Sequence, residues 1–368
     1  IVADMKREIA SSVLLMQKRS AVVQDGISSE SIKKTPDKNT GEVLKRVSGA
    51  SLQEGKFVIV RGLSDRYNLA MLNNTILPSS EPDRKAFSFD LFPSALLDNL
   101  FILKTASPDL PGEFAGGIIQ LNTKDIPDKG FIGLTVGTGM NTNSTFKNYS
   151  TGPTGKTDWI GVDDGTRALP DGFPSSAEYK KMTQAQKFDY SKQVTNDWGV
   201  QTKDNSPINT NLQLSFGDQM NVGKSKFGYI GALTYNRTAK TQSVARGDFD
   251  FDGSARYDYL DEQYNDNVLA GGILNMTMKF SDNNKISLKN YLSVNSENAT
   301  IMRTGDDIEL QQEKQSNALQ YTSNVLFNSQ LAGEHYLPKS KLGIKWYAGA
   351  GAISREVPDL RRMQYYRN

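Results

Sequence analysis

Cysteine is absent from this 368-residue chain, and histidine occurs once, at His335. The missing cysteines exclude disulfide staples, thiolate metal sites and cysteine nucleophiles, and they leave the redox compartment open. With a single histidine, catalytic triads built on imidazole have few candidates. An excess of one charge is also lacking. There are 43 Lys and Arg against 41 Asp and Glu, a formal net charge of +2, so no basic field for a polyanion exists and nucleic acid is not an expected partner. Long apolar runs are missing too. The nearest approach to the roughly 18 residues of a membrane helix is SALLDNLFIL, broken by Asp98 and Asn99. No charged n-region or methionine precedes Ile1, which reads as a processed or trimmed start. None of this excludes a membrane β-barrel, whose alternating lipid-facing and lumen-facing residues average to a polar chain.

Two rhythms divide what is present. Up to about residue 126 the chain reads as mixed α/β with short elements. Met5, Ile9, Val13 and Met16 recur at helical spacing and predict a leading helix within residues 1–19. Asn39, three residues ahead of Glu42, reads as a helix cap, with Gly49 as a stop. SAVVQDGIS and KFVIVRG read as strands, and Asn73-Asn74 as the turn of a hairpin. A short helix is expected from Ser94, followed by the strand LFILK. PGEFAGGIIQLNTK then joins paired glycines to a short apolar strand, the signature of a close backbone approach either to another segment or to a ligand.

After Pro127 seven segments show a two-residue period. In ILNMTMKF, Leu274, Met276 and Met278 alternate with Asn275, Thr277 and Lys279, as in a half-buried strand. The segments read as about nine to fifteen residues long, longer than ordinary strands and suited to a tilted membrane crossing. Their connections alternate between long and short. Roughly 65 residues follow the first strand, with a helix expected near 176–193, and acidic or polar loops are expected near 237–266 and 297–316. GDQMNVGKSK, SDNN and LPKSK are the short connections, and His335 lies beside the last of them. That is the pattern of an up-and-down membrane barrel, although a soluble sandwich can also carry seven alternating strands. Phe131, Tyr235, Phe280, Trp346 and Tyr347 near strand ends fit interfacial girdles.

Three stretches of the first part carry a family likeness. VVQDGISSESIKKTPDKNTGEVLKRVSGASL, FVIVRGLSDRYNLAMLNNTILP and FPSALLDNLFILKTASPDLPGEFAGGIIQLNTK together resemble the plug domain of TonB-dependent outer-membrane receptors, over about residues 20–124. RYN, PSSEPDRKAFSFD and DLPGEFAGG are similar to receptors of Bacteroidetes-type bacteria. The resemblance implies a leader at 1–19, an α/β plug domain at 20–126 and antiparallel transmembrane β-barrel strands at 127–368. It implies a Gram-negative outer-membrane receptor, not an enzyme, for energised uptake of a nutrient. Its partners would be a TonB-type energy-coupling protein, outer-membrane lipids and, in some assemblies, a surface lipoprotein or other complex subunits. No coupling segment is evident in residues 1–19. A receptor-like structural subunit without transport of its own is the alternative.

A plug of about a hundred residues needs a lumen like that of roughly 22-stranded transporters, so about seven strands are expected to be part of a larger barrel, truncated, cleaved or partly ordered here. The resemblance makes Arg61, Gly62, Glu113, Gly116 and Gly117 candidates for latching the plug, with Arg61 expected to pair with acids. A charge ending an apolar strand inside a lumen needs a partner, and a local carbonyl would also serve. Arg66, Tyr67, Asn68, Asp83, Arg84 and Trp159 are candidates for substrate contact, with Trp198 a further aromatic. For metals, Asp248, Asp250 and Asp252 before Gly253 match the start of a calcium loop, but Tyr259 stands where the bidentate glutamate belongs; a solvated acidic loop is the other reading, and no cofactor is otherwise expected. TGPTGKT imitates a phosphate loop without its strand-to-helix setting.

Overall fold

The computed structural model describes residues 10–81, 85–124, 126–127, 129–194 and 198–367. The first part holds α1 (Ala10–Arg19), β1 (Gln24–Ser28), α2 (Ser29–Lys33), α3 (Thr40–Leu44), β2 (Ala50–Gln53), β3 (Phe57–Val60), β4 (Asn68–Leu72), β5 (Thr75–Ile76), β6 (Leu97–Leu103) and β7 (Gly117–Thr123). Asn39 caps α3 by accepting from the Glu42 N–H at 2.9 Å, as its spacing predicts. Asn73 and Asn74 have φ of 48° and 72°, the left-handed pair that a tight hairpin turn requires. Residues 94–96 make only a single 3-10 turn where a short helix was expected, because β6 begins at once after them.

Five strands form a mixed sheet in the order β1-β6-β7-β4-β5, with β7 parallel to β4 and antiparallel to β6. Its two faces differ. Leu100, Ile102, Ile119 and Leu121 enter the main core, which continues into the second part of the chain through Ala232, Ile273, Tyr291 and Leu326. Phe101, Leu103, Ile118 and Met71 form a smaller cluster on the other face, covered partly by Val13 and Met16 of α1. The leading helix therefore packs as a layer of the first domain, and its expected residues Met5 and Ile9 lie outside the described residues.

The paired glycines sit where the chain comes closest to itself. A Cβ on Gly116 would lie 2.0 Å from Asn68 Oδ1 and 3.3 Å from the Val60 carbonyl oxygen, and one on Gly117 would lie 3.0 Å from the Leu103 carbonyl oxygen. Asn68 is buried and its amide donates to the carbonyls of Val58, Leu63 and Ser64. Only glycine leaves room for that amide.

The second part holds β8 (Phe131–Gly139), β9 (Tyr149–Thr151), α4 (Ser176–Lys181), α5 (Gln184–Ser191), β10 (Gln201–Lys203), β11 (Asn209–Val222), β12 (Ser225–Phe249), β13 (Ala255–Ser281), β14 (Asn284–Asp307), β15 (Gln312–Leu337) and β16 (Leu342–Arg367). Seven of these strands form one antiparallel sheet in the order β16-β15-β14-β13-β12-β11-β8. Its polarity is that of a membrane barrel. Leu233 is 57% exposed between Ala232 and Thr234, both buried against the first domain, and Ile132, Leu134 and Val136 are exposed along β8. Of the expected girdle residues, Trp346 shares the outward face and donates from Nε1 to His335 Nε2 at 3.1 Å. Tyr347 does not: it pairs opposite Ala332 on the inward face.

The largest correction concerns the loops. The stretches near 237–266 and 297–316 are strands, and β12 to β16 run to 24–27 residues, joined at that end by short turns near 250–254 and 308–311. Polar cross-strand pairs hold these extensions. Asp261, with its side chain fully buried, accepts from Arg303 Nε at 2.6 Å and from Arg246 Nε at 2.6 Å, and Arg237 pairs with Asp266. Residues 140–208 remain a true excursion, with two short helices, α4 and α5, where one was expected, because the Thr183 cap restarts the helix; both are opened by capping boxes. The excursion folds onto the outward period of the extended strands: Tyr149 meets Tyr264 edge-on, and Ser323 Oγ donates to the Gly161 carbonyl at 2.7 Å. Its anchor is Arg167, 1% exposed, which pairs with Asp158 and Asp163, donates to the Pro153 carbonyl and stacks over Tyr321 at 4.1 Å. Burial alone would weaken the Arg167 charge, but the two carboxylates hold it protonated.

Two substitutions test these arguments. Gly116→Ala should destabilise the first domain by about 2–4 kcal/mol, through overpacking and loss of the Asn68 bonds. Thermal melts of Gly116→Ala, Asn68→Ala and the double variant should show strongly non-additive losses; additive losses would sink the packing account. Arg167→Ala should cost the excursion about 3–5 kcal/mol by stranding two carboxylates. Limited proteolysis should then cut within 140–208 while the strands stay intact, and an unchanged cleavage pattern would count against Arg167 as the anchor.

Candidate functional site

The inward face of the seven-stranded sheet is built against the first domain, with polar contacts around the apolar centre that Ala232, Ile273, Tyr291 and Leu326 form with the plug. Gln330 Nε2 donates to the Asn73 carbonyl at 2.6 Å, and Asn275 Nδ2 donates to the Lys124 carbonyl at 2.8 Å and to Thr123 Oγ1 at 3.1 Å. Lys38 Nζ donates to Thr238 Oγ1 at 2.9 Å. Two ion pairs cross the interface: Arg355 with Glu81, and Lys56 with Glu297 at 3.6 Å, the latter shared with Asp90. Burial opposes the Lys56 charge, but Asp90 and Glu297 raise its pKa above the ordinary lysine value. One contact is aromatic. Phe92 and Tyr291 stack with ring centroids 4.1 Å apart and 2° between planes, and the Tyr291 hydroxyl donates to the Leu91 carbonyl at 3.1 Å.

These crossing residues were not singled out from the sequence. The signal available was the polar half of each two-residue period: Asn275 and Gln330 are the inward positions of their strands. Their partners lie 151 and 257 residues away in the chain, a pairing that local spacing cannot reveal.

Arg61 does not meet the expected acids. Its Nε donates to the Gly116 carbonyl at 3.0 Å and its Nη2 to the Ala115 carbonyl at 2.9 Å, and among the described residues no carboxylate pairs with it. Arg61 and Gly62 carry φ of 54° and 76° in a tight turn closed by the Leu63 N–H on the Val60 carbonyl. That turn points the guanidinium at the carbonyls ahead of β7, so Arg61, Gly62, Gly116 and Gly117 form one brace within the first domain. Glu113 stands apart, paired with Lys85 at 2.6 Å, and the Lys85 ammonium lowers its pKa.

The substrate candidates separate by exposure. Arg66 and Tyr67 are exposed and joined, Arg66 Nη2 donating to the Tyr67 hydroxyl at 2.9 Å. Asn68 is corrected to a structural residue, because it is buried and its amide is committed to three carbonyls. Asp83 and Arg84 lie outside the described residues. Trp159 is 59% exposed on the excursion, while Trp198 lies under the Arg361 guanidinium. β4 and β7 run in parallel towards the short-turn end, where Thr123 meets Asn275, so Tyr67 and Gly116 lie at the opposite end of the domain.

The two imitation motifs resolve into ordinary structure. Asp248 and Asp250 each lie 3.6 Å from an Arg256 nitrogen, and Asp252 accepts from the Ser254 N–H in the β12–β13 turn. Among the described residues no three histidine, cysteine or acidic side chains gather in one cluster. In TGPTGKT the N–H groups of Gly155 and Lys156 are taken by Asp158 and Asp164. Bonds from the Thr166 hydroxyl and the Lys156 N–H push Asp164 down to about 2.

A family model described as TonB-dependent Receptor Plug Domain matches residues 16–118. No curated protein matches the chain in sequence. Among solved structures it is similar to the ferric citrate transporter FecA in its unliganded form, at 13% identity and a TM-score of 0.32, covering 92% of this chain and 60% of that one. It is similar to a mutant of the ferric enterobactin receptor PfeA from Pseudomonas aeruginosa, at 10% identity and a TM-score of 0.39, covering 92% and 50%. The outer membrane transporter YddB from Escherichia coli gives 10% identity and a TM-score of 0.33, covering 93% and 56%. The chain thus spans about half to three fifths of the length of these proteins. With its plug match lying on the five-stranded domain, the chain carries a TonB-dependent receptor plug domain joined to a seven-stranded antiparallel sheet whose outward face is apolar.

Proposed function

We propose that this chain is the gate and part of the wall of an outer-membrane receptor that takes up a specific nutrient, with a TonB-type energy-coupling protein displacing the plug. The observation that carries the reading is the make-up of the plug–wall contact. Around an apolar centre, where Ala232, Ile273, Tyr291 and Leu326 join the plug core, it consists of single hydrogen bonds and two ion pairs. Each such bond contributes only about 0.5–1.5 kcal/mol net, because water offers an equivalent partner when it breaks. A plug held this way is seated firmly as a set but can be released bond by bond into a wet lumen. An interface meant to be permanent would be more apolar.

In this reading the brace of Arg61, Gly62, Gly116 and Gly117 stiffens the end of the plug opposite the short turns, towards the long strand extensions. Arg66 and Tyr67 at that end are the side chains offered to an incoming solute, whereas Trp159 sits on the excursion that packs against the outer side of the wall. The short-turn end, where residues 122–124 meet Asn275, is the exit to the wall.

The absence of cysteine makes a direct test available. A Cβ built on Gly349 of β16 lies 3.6 Å from Thr75 Cβ of β5, within the span of a disulfide. In a strain whose growth on a single nutrient source depends on this receptor, Thr75→Cys with Gly349→Cys should abolish growth when oxidised and restore it on reduction. Each single variant should grow in both conditions. Uptake that persists with the disulfide fully formed would rule out plug displacement as the transport step.

A further inference from the structure

A cavity of about 520 Å³ opens between the plug and the wall at the short-turn end. Its origin lies in the periodicity of the plug sheet. On the face that α1 covers, β7 presents Ile118, then Gln120 and Asn122, while β6 presents Leu103 and Phe101, then Asn99. The apolar half packs under Val13 and Met16, and the polar half is left lining the cavity. Six side-chain amides converge there: Asn73, Asn74, Asn99, Gln120, Asn122 and Gln330. Several form a chain, Gln120 Nε2 donating to Asn74 and Asn122, Asn122 Nδ2 donating to Asn99 at 2.7 Å, and Asn99 Nδ2 donating to Asp98 at 2.8 Å. Gln330 is 1% exposed, its Nε2 is held by the Asn73 carbonyl, and its Oε1 has no hydrogen-bond partner among the described residues.

We propose that this cavity is a holding site on the exit side of the plug for a neutral, hydroxyl-rich solute of di- or trisaccharide size. The assignment rests on the uptake reading for its role, but not for its chemistry. Its volume falls within the roughly 300–1,000 Å³ of small-molecule sites. Amides both donate and accept, which matches hydroxyl groups. Phe101 and Tyr347 supply apolar surface for ring C–H groups. Lys285 and Lys345 are spent on a shared Glu334, at 3.3 Å and 3.9 Å. Arg19 and Lys289 on the lining make an anionic solute the competitor that the test must separate.

The test uses the full receptor in detergent, with Ala332→Cys as the sole cysteine, on the cavity lining. Its modification by N-ethylmaleimide should slow about threefold or more in saturating raffinose, since an occupied site excludes the reagent, and should not slow in inorganic phosphate. Gln330→Leu or, independently, the exposed Asn74→Ala should remove most of that protection without changing the rate in the absence of sugar. Protection by phosphate and not by raffinose, protection by neither, or protection that survives both amide variants would overturn the assignment. The readout is occupancy, not transport. A protected cavity in a receptor that the Thr75–Gly349 tether fails to block would leave this site standing while removing the uptake reading, and the converse result would do the reverse.

Discussion

A strand that crosses lipid has no water to satisfy its peptide groups, so every N–H and C=O must pair within the sheet. The rest of this structure follows from that constraint. Once the seven strands are paired along their length, the two-residue period fixes which side chains meet lipid and which turn inward. Leu134, Leu214, Leu233, Leu274 and Leu292 face outward, and Thr234, Asn275, Tyr291 and Gln330 are left to face the plug. The plug consequently docks on a largely polar wall, and amides, hydroxyls and two ion pairs surround the apolar centre of its seat. The dry part of the seat is the shared core, where Ala232, Ile273, Tyr291 and Leu326 meet the plug and Phe92 stacks on Tyr291. Polar seating is therefore imposed by the barrel's own patterning, whatever use the molecule makes of it.

The same constraint lapses beyond the lipid, and the strands continue for a different reason. Past about Arg237 on β12 there is no apolar alternation, yet pairing persists to Phe249. Opposed charges and amides replace burial as the cross-strand pairs: Arg237 with Asp266, Gln242 with Gln263, and Arg246 and Arg303 with Asp261. Asp261 carries most weight, because a fully buried carboxylate is tolerated only with its bonds complete, and here two guanidiniums complete them. Arg167 solves the mirror problem on the excursion, as a buried cation between two carboxylates and a carbonyl.

This contrast explains how far the sequence could be read. The plug was legible in its turns and caps, because Asn39 and Asn73-Asn74 act through local backbone geometry, although α3 ends at Leu44, ahead of the expected stop at Gly49. The barrel crossings were legible because lipid enforces period two. The extensions of β12 to β16 were not, since their strands are held by long-range polar pairs and their composition is that of a loop. Arg61 was legible as a charge in need of partners, but not its partners, which are carbonyls 54 and 55 residues away. Asn68 was read as a contact residue from its place in an exposed phrase, whereas its burial depends on Gly116 being small enough to admit it. Sequence patterns report faces and turns; they report contacts only when the contact is local.

The plug sheet is held unequally on its two faces, and the inequality bears on how it could move. One face runs into the common core with the wall. The other is covered in part by α1, which contributes Val13 and Met16 while leaving Leu14 65% and Leu15 40% exposed. A ten-residue helix with so few apolar anchors belongs at the low end of local stability, where opening precedes that of the sheet beneath it. Leu15, Met16 and Arg19 of the same helix line the cavity opposite the amides. Any solute that touches both must bind less well when α1 leaves, and by reciprocity must help to seat α1 when bound. The seating of this marginal helix and the filling of the cavity beneath it are thus one coupled equilibrium, set by which half of β6 and β7 is apolar and which is amide.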